Sequence, residues 1–404
     1  AAERARPSAI ARALNAITSR PAPAIGARLA LEPGRGLTAV PIRSSLAAAV
    51  TGIVALLATI SIGASIDHLL ASPELFGWTW DADVTGEFAP GSKDLTNLID
   101  DPAFASVGLG FGGEGVVFRM RPAGNATFEI STAGLTTDSV KGTFGPPVLQ
   151  GRAPRQADEV ALGSRTMKAL GVSLGDSVEI AIQGGQIRKP FRVVGTVVLP
   201  LEGDISSVGE GAWMTLAGVH PLDPEIPPVP QVAFIRFAPG IDRDGALKRL
   251  RERYAEIFEP FTPGLVRDFR RISDLMVVMA ALLAALAAGT LIHMLTTSIR
   301  RRRRDLSILK TLGFSRRQLR STVGWQAVVF TTVALLVAVP VGIVVGRWTW
   351  NLIARYQGIA AVPVVPPIAF TIVGFATIVA ALVISVLPAR SAARSRPALE
   401  LRAE

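Results

Sequence analysis

The sequence has 404 residues, 49% of them hydrophobic and 18% charged, whereas a soluble protein usually carries about a quarter charged residues. It contains no cysteine, which excludes disulfides, thiol catalysis and cysteine-based metal sites. The formal net charge is +10, but residues 71–270 carry more Asp and Glu than Lys and Arg, so the basic excess lies in the flanking segments. This distribution is typical of membrane proteins with positively charged cytoplasmic segments, and it argues against nucleic-acid binding.

Four uncharged apolar runs explain the low charge content. They are Leu46–Ile66, Leu275–Ile299, Val323–Gly346 and Ile368–Leu387. Each is long enough to cross a bilayer, because about 20 residues suffice for a spanning helix. We therefore predict an α-helical membrane protein with four transmembrane helices and a large α+β extracytoplasmic domain inserted between the first and second helices. The alternative interpretation is a soluble protein with four buried core helices.

The basic flanks of the runs predict the topology of a multi-pass protein of the plasma (inner) membrane. The predicted segments are a cytoplasmic linker and juxtamembrane segment at 1–43, transmembrane helices at 44–68, 273–299, 321–346 and 368–388, the extracytoplasmic domain at 69–272, a cytoplasmic loop at 300–320, an outer loop at 347–367 and a cytoplasmic tail at 389–404. One short helix is predicted around residues 8–18. Because the sequence starts without Met or a signal peptide, we expect residue 1 to lie within a longer protein.

The long segment between the first two runs mixes strand and helix patterns, as an α+β domain does. The predicted strands are Val84–Phe88, Val116–Met120, Thr127–Ile130, Ser177–Ile182, Phe191–Val198 and Val232–Phe237. Ser164 is predicted to cap a short helix that ends at Gly171, and Asp242 to cap a longer helix. The apolar face of the longer helix is predicted to contain Leu247, Leu250, Tyr254 and Phe258. In the strongly patterned run 151–180, we interpret Asp158, Glu159 and Asp176 as turn and cap residues.

The segment between the second and third runs has the pattern of a helix, a glycine break and a second helix start. Its apolar stripe at helical spacing is Leu306, Ile308, Leu309 and Leu312. Gly313 follows where a helix favours a left-handed residue, and Ser315 with Gln318 has the spacing of a capping box. The basic residues Arg301, Arg302, Arg303 and Arg304 are predicted at the cytoplasmic membrane surface. We interpret this segment as a rigid elbow that transmits force.

Two further membrane-proximal groups follow in the chain. Trp348, Trp350 and Tyr356 are predicted to lie in an interfacial aromatic belt, with contact to a substrate as the alternative. Arg390 and Arg394 fall on one helical face after the fourth run, where they would meet phosphate headgroups or an acidic partner surface.

The sequence lacks the residue combinations that catalysis requires. Its three histidines, His68, His220 and His293, share no metal-ligand spacing. Residues 86–93 read GEFAPGSK, which resembles a phosphate loop whose lysine is out of register, and residues 108–115 are interpreted as a flexible glycine loop. We therefore predict a protein that is not an enzyme and binds no cofactor, so that any energy comes from a partner.

The elbow and the C-terminal tail resemble the FtsX-like permease family, the MacB and LolC/LolE class of ABC transporter membrane subunits. The similarity at the elbow is a basic run followed by Asp305, Ile308, Leu309, Lys310, Leu312 and Gly313. At the tail it is Pro388, Ala389, Arg390, Ala392, Ala393, Arg394, Pro397, Ala398, Leu401 and Arg402. The order of one span, a large domain and three spans is also similar, as is the run GRAPRQADEVALG from residue 151.

This resemblance implies a coupling helix that docks on a cytoplasmic ATPase dimer, which binds the ATP. The coupling residues that it implies are Asp305, Leu306, Ile308, Leu309, Lys310, Thr311, Leu312 and Gly313. It further implies a second permease half or subunit, and it suggests the C-terminal half of a duplicated actinobacterial permease. ATP-driven movement would pass along the second span to the outer domain.

Two functions remain open at this point. The first is export or extraction of a lipid, peptide or drug-like substrate. The second is a signalling relay without cargo, whose outer domain activates a cell-wall hydrolase or senses a ligand, with a protein or lipid as its extracytoplasmic partner.

Overall fold

The computed structural model describes residues 21–31, 42–111, 116–125, 127–200, 209–259, 264–301 and 314–394. Its residue contacts divide the chain into two compact units. The membrane unit comprises the described residues within 1–65, 272–349 and 363–404. The sheet unit comprises the described residues within 66–271 and 350–362.

The described residues form helices and strands that alternate along the chain. The helices are α1 Pro21–Leu31, α2 Ile42–Ala71, α3 Lys93–Asp100, α4 Ser164–Leu170, α5 Leu216–Val219, α6 Arg243–Arg253, α7 Gly264–Arg301, α8 Arg316–Gln357 and α9 Pro367–Arg394. The strands are β1 Ala82–Thr85, β2 Phe104–Gly110, β3 Val116–Pro122, β4 Ile130–Lys141, β5 Val148–Gly151, β6 Glu159–Gly163, β7 Ser177–Ile182, β8 Lys189–Val197, β9 Ala212–Met214, β10 Val232–Phe237 and β11 Ile257–Phe258.

Four of these helices, α2, α7, α8 and α9, are long and apolar enough to cross a membrane, with mean hydropathies between 2.2 and 2.7 over their apolar windows. All of the strands lie between α2 and α7 in the chain. The predicted fold class, four transmembrane helices with an α+β domain between the first and second, is therefore confirmed.

Within the membrane unit, α2 approaches α7 through two glycines. A Cβ atom added at Gly52 would lie 3.6 Å from Cβ of Ala287, and one at Gly63 would lie 3.6 Å from Cβ of Met276. A methyl group at either position would therefore make ordinary van der Waals contact, so α2 and α7 are neighbours along more than two turns of α2 without a requirement for glycine.

The contact between α2 and α8 is closer still. Gly342 and Gly346 form a GxxxG pair on α8. A Cβ atom at Gly342 would lie 2.9 Å from Cβ of Leu57, and one at Gly346 would lie 2.9 Å from Cβ of Ser61. Because real Cβ atoms do not approach this closely, the contact requires glycine at both positions.

Helix α1 packs on the first turns of α8, a contact that the sequence analysis did not predict. A Cβ atom at Gly26 would lie 2.7 Å from the carbonyl oxygen of Thr322 and 2.7 Å from Cβ of Trp325. Ala27 and Ala30 of α1 are fully buried. The helix predicted around residues 8–18 lies outside the described residues.

The sheet unit is built on one sheet with the strand order β11-β1-β10-β2-β4-β3-β7-β8-β6-β9, in which β5 pairs with β8 and β9 also pairs with β4. In the first four strands of this order, β11, β1, β10 and β2, each strand is antiparallel to its neighbour. With the connections β1–α3–β2 and β10–α6–β11, they form a split βαβ arrangement. Because β9 returns to β4, the remaining strands β4, β3, β7, β8, β6 and β9 close into a ring.

Each part of the sheet has its own apolar core. Leu95 and Leu98 of α3 and Leu247 and Leu250 of α6 pack against β1, β2 and β10 in the first part. The ring is filled by side chains from its own strands and from α4, among them Phe118, Met120, Leu162, Leu170, Ile180 and Phe191. Strand β4 joins the two parts, since it pairs with β2 and with β3 along different portions of its length.

Several strand predictions agree with the structure and two need correction. The predicted strands Ser177–Ile182 and Val232–Phe237 are confirmed as β7 and β10. The strand predicted from Thr127 begins instead at Ile130, because the side-chain carbonyl of Asn125 accepts hydrogen bonds from the amide and hydroxyl of Thr127 and holds a turn. The strand predicted from Val84 lies two residues earlier, in β1.

The glycine run at residue 108 was wrongly predicted to be entirely a loop. Residues 108–110 belong to β2, and residues 112–115 lie outside the described residues. A Cβ atom at Gly108 would lie 2.2 Å from the ring of Phe144. The glycine therefore makes room for an aromatic ring against the strand.

The predicted helix ends in this unit are partly right. Gly171 closes α4 in the left-handed conformation as predicted, but Gly163 is the N-cap and Ser164 is the first helical residue. Asp242 occupies the N-cap position of α6. Phe258 does not belong to the apolar face of that helix, because the chain leaves the helix after Arg253 and Phe258 lies in β11, half exposed.

Candidate coupling site

The predicted coupling residues lie outside the described part of the chain, as do Arg302, Arg303 and Arg304. The coupling residues concerned are Asp305, Leu306, Ile308, Leu309, Lys310, Thr311, Leu312 and Gly313. The structure describes the helices on either side of them: α7, which is described as far as Arg301, and α8, whose first residue is Arg316. Arg390 and Arg394 lie in the last turns of α9.

The start of α8 is fixed by a capping box. The amide of Gln318 donates to the hydroxyl of Ser315 at 3.3 Å, and the amide of Ser315 donates to the side-chain carbonyl of Gln318 at 2.8 Å. Both bonds satisfy amides that have no partner within the helix. The capping box predicted from the sequence is confirmed, and it places a defined helix start two residues after Gly313.

Buried side chains then hold the first turns of α8 in the membrane unit. Leu319, Thr322, Val323 and Gln326 are all at most 2% exposed. The hydroxyl of Thr322 donates to the carbonyl of Gln318 at 2.9 Å, so its polar group is satisfied within the helix. Together with the contact of α1, this packing makes the inner end of α8 a fixed position.

The outer end of α8 is equally well defined. The helix continues to Gln357, and Gly358 follows with a φ of +75°. The amide of Ile359 donates to the carbonyl of Ala354 at 3.1 Å, the bond of a Schellman motif. The first half of the predicted outer loop 347–367 is therefore helical.

The three aromatic residues near this end have different surroundings. Trp348 and Tyr356 are 66% and 74% exposed, in keeping with an interfacial aromatic belt. Trp350 is 1% exposed. Its predicted place in the belt is therefore wrong, because its position on α8 directs it to the packed side of the helix.

Residues 358–360 contact the sheet unit to which they belong at two points. A Cβ atom at Gly358 would lie 2.5 Å from Cα of Gly209, and one at Gly209 would lie 2.6 Å from Cα of Gly358. The amide of Ala360 donates to the carbonyl of Leu75 at 3.1 Å. We call these two contacts the glycine clamp. Sequence reasoning missed it, because each glycine on its own looks like an ordinary turn residue.

The Gly209 side of the clamp is itself tied to the start of α4. The amide of Arg165 donates to the carbonyl of Gly209 at 2.9 Å, and the amide of Gly163 donates to the carbonyl of Gly211 at 2.9 Å. The hydroxyl of Thr166 accepts from the amide of Gly211 at 2.9 Å. Three consecutive hydrogen bonds therefore fix the segment against which Gly358 packs.

A buried carboxylate orders the patterned run that precedes α4. The Glu159 side chain is fully buried, and it accepts hydrogen bonds from both terminal nitrogens of Arg152, one of them at 2.6 Å. Arg192 and the amides of Arg155 and Gln156 donate to it as well. The charge-assisted bonds with Arg152 hold the pKa of Glu159 at about 2 despite its burial. Glu159, the first residue of β6, is thus a structural anchor, and its interpretation as a turn or cap residue is wrong.

The environment of Asp83 on β1 raises the pKa of its carboxyl group, whereas that of Glu159 lowers it. Burial raises the pKa of Asp83 to about 6, and the indole nitrogen of Trp80, which donates to the carboxylate at 3.3 Å, offsets this in part.

Among the described residues, there is no group of three or more His, Asp or Glu side chains that could hold a metal ion.

Comparison with known protein families shows to which family the chain belongs. Residues 45–253 match the MacB-like periplasmic core domain, which is more than half of the chain, and residues 277–397 match the FtsX-like permease C-terminal domain. The chain belongs to the FtsX-like permease family. The resemblance predicted from the elbow, the tail and the GRAP run is confirmed. The permease is a multi-pass membrane protein with an extracytoplasmic segment, as predicted.

Individual relatives of this permease cover only part of it. An uncharacterised ABC transporter permease of Mycobacterium tuberculosis, Rv2563, is 29% identical over 202 residues, which are 49% of this chain and 50% of that protein. A second one from the same organism, Rv0072, is 28% identical over 263 residues, 61% of this chain and 64% of that protein. The permease therefore spans about half to two thirds of the length of the curated relatives that it matches.

One solved structure similar to this chain is of an isolated periplasmic region. The periplasmic region of MacB from Actinobacillus actinomycetemcomitans is 14% identical, with a TM-score of 0.31, and the match covers 48% of this chain and 94% of that one.

Proposed function

We propose that this chain is the membrane subunit of an ABC transporter and that residues 305–313 couple it to a cytoplasmic ATPase dimer. The chain itself is not the enzyme, and a second permease half or subunit completes the assembly. ATP-driven movement of the coupling segment would be passed to the outer domain for export or extraction of a lipid, peptide or drug-like substrate. Membership of the FtsX-like permease family supports this proposal, as do the relatives that are named ABC transporter permeases.

The observation that carries the proposal is the short connection between two long helices. Helix α7 is described as far as Arg301 and α8 starts behind a capping box at Ser315, so 14 residues, 302–315, lie between the described parts of two membrane-spanning helices. Those residues contain four Leu or Ile side chains at helical spacing, Leu306, Ile308, Leu309 and Leu312. An apolar stripe on a charged, membrane-proximal segment is suited to a groove on a partner protein.

The test replaces one residue of the stripe by a charge. Burying a leucine contributes about 1.5–3 kcal/mol, so Leu309→Asp should weaken docking by at least about tenfold. We expect stimulation of a co-expressed ABC ATPase to be lost in proteoliposomes, while membrane insertion is retained. Ser307→Asp places the same charge next to the stripe and should keep most of the stimulation. Normal stimulation by Leu309→Asp would contradict the proposal.

A further inference from the structure

The outer end of α8 is attached to the sheet unit in a way that the family affiliation does not require. Residues 350–362 are counted with the sheet unit by their contacts, although α8 begins in the membrane unit at Arg316. With 42 residues, α8 is about 63 Å long. Its two ends have defined terminations, the capping box at Ser315 and the Schellman motif at Gly358.

The glycine clamp is a specific contact and not incidental proximity. Gly209 and Gly358 both adopt left-handed backbone conformations, with φ of +81° and +75°, a region that residues with a side chain rarely occupy. A Cβ atom on either one would collide with the backbone of the other. Two independent requirements, backbone conformation and close approach, therefore select glycine at each position.

The clamp is also buried and hydrogen-bonded. Ile359 and Ala360, which follow Gly358, are 3% and 8% exposed, and Ala354 on the last turn of α8 is fully buried. The bond from the amide of Ala360 to Leu75 satisfies a buried donor. An attachment made of backbone contacts leaves no long side chains that could rearrange, so it is suited to transmit displacement.

Within α8, one position could absorb such displacement, namely Pro340, which cannot donate a hydrogen bond to the carbonyl four residues earlier. Gly342 and Gly346 pack α8 tightly against Leu57 and Ser61 of α2 directly after this point. The helix is therefore supported where its own hydrogen bonding is interrupted.

We propose that the glycine clamp is a fixed attachment through which α8, in addition to α7, moves the extracytoplasmic domain when the coupling segment moves. Gly209 and Gly358 are positioning residues in this scheme. The inference rests on the proposed function, since it assigns a second helix to the same transmission. It predicts that breaking the clamp separates ATPase docking from movement of the outer domain.

The chain offers matched controls for breaking the clamp. Gly240 has the same φ of +81° as Gly209, and Gly171 ends a helix as Gly358 does, with a φ of +67°. Cβ atoms at Gly240 and Gly171 would meet no atom of the described residues within 4 Å. Gly209→Ala and Gly240→Ala therefore impose similar backbone strain, but only the first creates a collision in the clamp. Gly358→Ala and Gly171→Ala form a second pair.

The first readout is hydrogen exchange of the full-length chain in nanodiscs. In the wild type and in Gly240→Ala, peptides covering residues 358–362 should be protected, because the amide of Ala360 is bonded and buried. In Gly209→Ala, exchange of these peptides should be at least about tenfold faster. Fast exchange in the wild type, or unchanged protection in Gly209→Ala, would overturn the clamp.

The second readout separates docking from transmission. A fluorophore at Glu225→Cys, an exposed position in a chain without other cysteines, reports movement of the outer domain on addition of ATP to the complex with a co-expressed ABC ATPase. Gly209→Ala and Gly358→Ala should retain ATPase stimulation but lose most of the ATP-dependent fluorescence change. Gly240→Ala and Gly171→Ala should retain both.

The failures of the two proposals are distinguishable. If the wild type neither stimulates the ATPase nor responds to ATP, the proposed function is wrong and the inference falls with it. If the wild type responds and both clamp variants respond equally, the proposed function stands and transmission through the clamp is refuted.

Discussion

The buried carboxylate of Glu159 allows a quantitative prediction for the stability of the extracytoplasmic domain. Its pKa is about 2 in the folded protein against an ordinary value of 4.5. Because the folded pKa is lowered, the charged form stabilises the domain fully above pH 4.5, and this contribution is lost as the pH falls through 2. A difference of about 2.5 pKa units corresponds to about 3 kcal/mol. That value is an upper limit, because the partners Arg152 and Arg192 are 43% and 54% exposed and water screens them.

Glu159→Gln removes the charge at nearly constant volume. The amide nitrogen of the new side chain would face donors, since Arg152, Arg192 and two backbone amides all point hydrogen atoms at this site. We expect the free energy of unfolding at pH 7 to fall by more than about 1 kcal/mol and by at most about 3 kcal/mol. The difference from the wild type should shrink by more than half at pH 3, where unfolded chains of the wild type have already bound the proton.

The assay is urea unfolding of the full-length chain in nanodiscs, followed by the fluorescence of tryptophans in the sheet unit. Trp78, Trp80 and Trp213 are buried there and report loss of the fold. Glu74→Gln is the matched control, because Glu74 pairs with Arg236 at 3.7 Å and the two side chains are 58% and 51% exposed, where such a pair contributes less than about 1 kcal/mol. Equal urea midpoints for Glu159→Gln and the wild type, or a difference that does not change with pH, would refute the reasoning.

Two further predictions concern Asp83 and the helix contact at Gly346. Because burial raises the pKa of Asp83 to about 6, above its ordinary 3.8, the wild type should lose stability as the pH rises from 4 to 7. Asp83→Asn should remove that slope and raise the unfolding free energy at pH 7 by about 2 kcal/mol in the same urea assay; a pH profile identical to the wild type would contradict this. Gly346→Leu should lower the thermal stability of the detergent-solubilised protein by several degrees, because the contact with Ser61 leaves no room for a side chain. Gly374→Leu is the control, since a Cβ atom there meets no described atom within 4 Å, and equal stabilities of the two variants would contradict the packing.

The sequence predicts best those elements that a local pattern determines. Uncharged runs of sufficient length predicted the four spanning helices, since the bilayer imposes one requirement on every residue of a span. The capping box of Ser315 and Gln318 is likewise local, because both partners lie within one turn. Strands with regular alternation, such as 177–182 and 232–237, were predicted with their correct ends.

Elements determined by distant partners were missed. The described part of helix α1 contains Pro21 and Pro23, in a segment that the sequence analysis assigned to a linker. Strand β4, of which only Ile130 falls in a predicted strand, carries Gly134, which makes room for the ring of Phe118 from the neighbouring strand. The glycine clamp joins Gly209 to Gly358, and no periodicity relates residues so far apart in the sequence.

The burial of Glu159 could not be predicted from the local sequence either, because it depends on partners that only the fold brings next to it. Its pattern, an acid after a Pro-containing turn, suggests a solvated turn residue. Only the pairing of β6 with β8 brings Arg192 next to it, and only the left-handed turn at Gly151 brings back Arg152. The resemblance to a family identifies the run from residue 151 as a family motif, but it does not give the physical role of each residue in that run.

We propose above that residues 305–313 face the cytoplasm and dock on an ATPase, and this can be tested directly. Since the chain has no cysteine, single cysteines at Thr311 and at Glu225 can be compared in intact cells without background. An impermeant thiol reagent should label Glu225→Cys only, and Thr311→Cys should crosslink to a co-expressed ABC ATPase. Labelling of Thr311→Cys from outside would invert the topology, and correct topology without a crosslink would contradict docking at this segment.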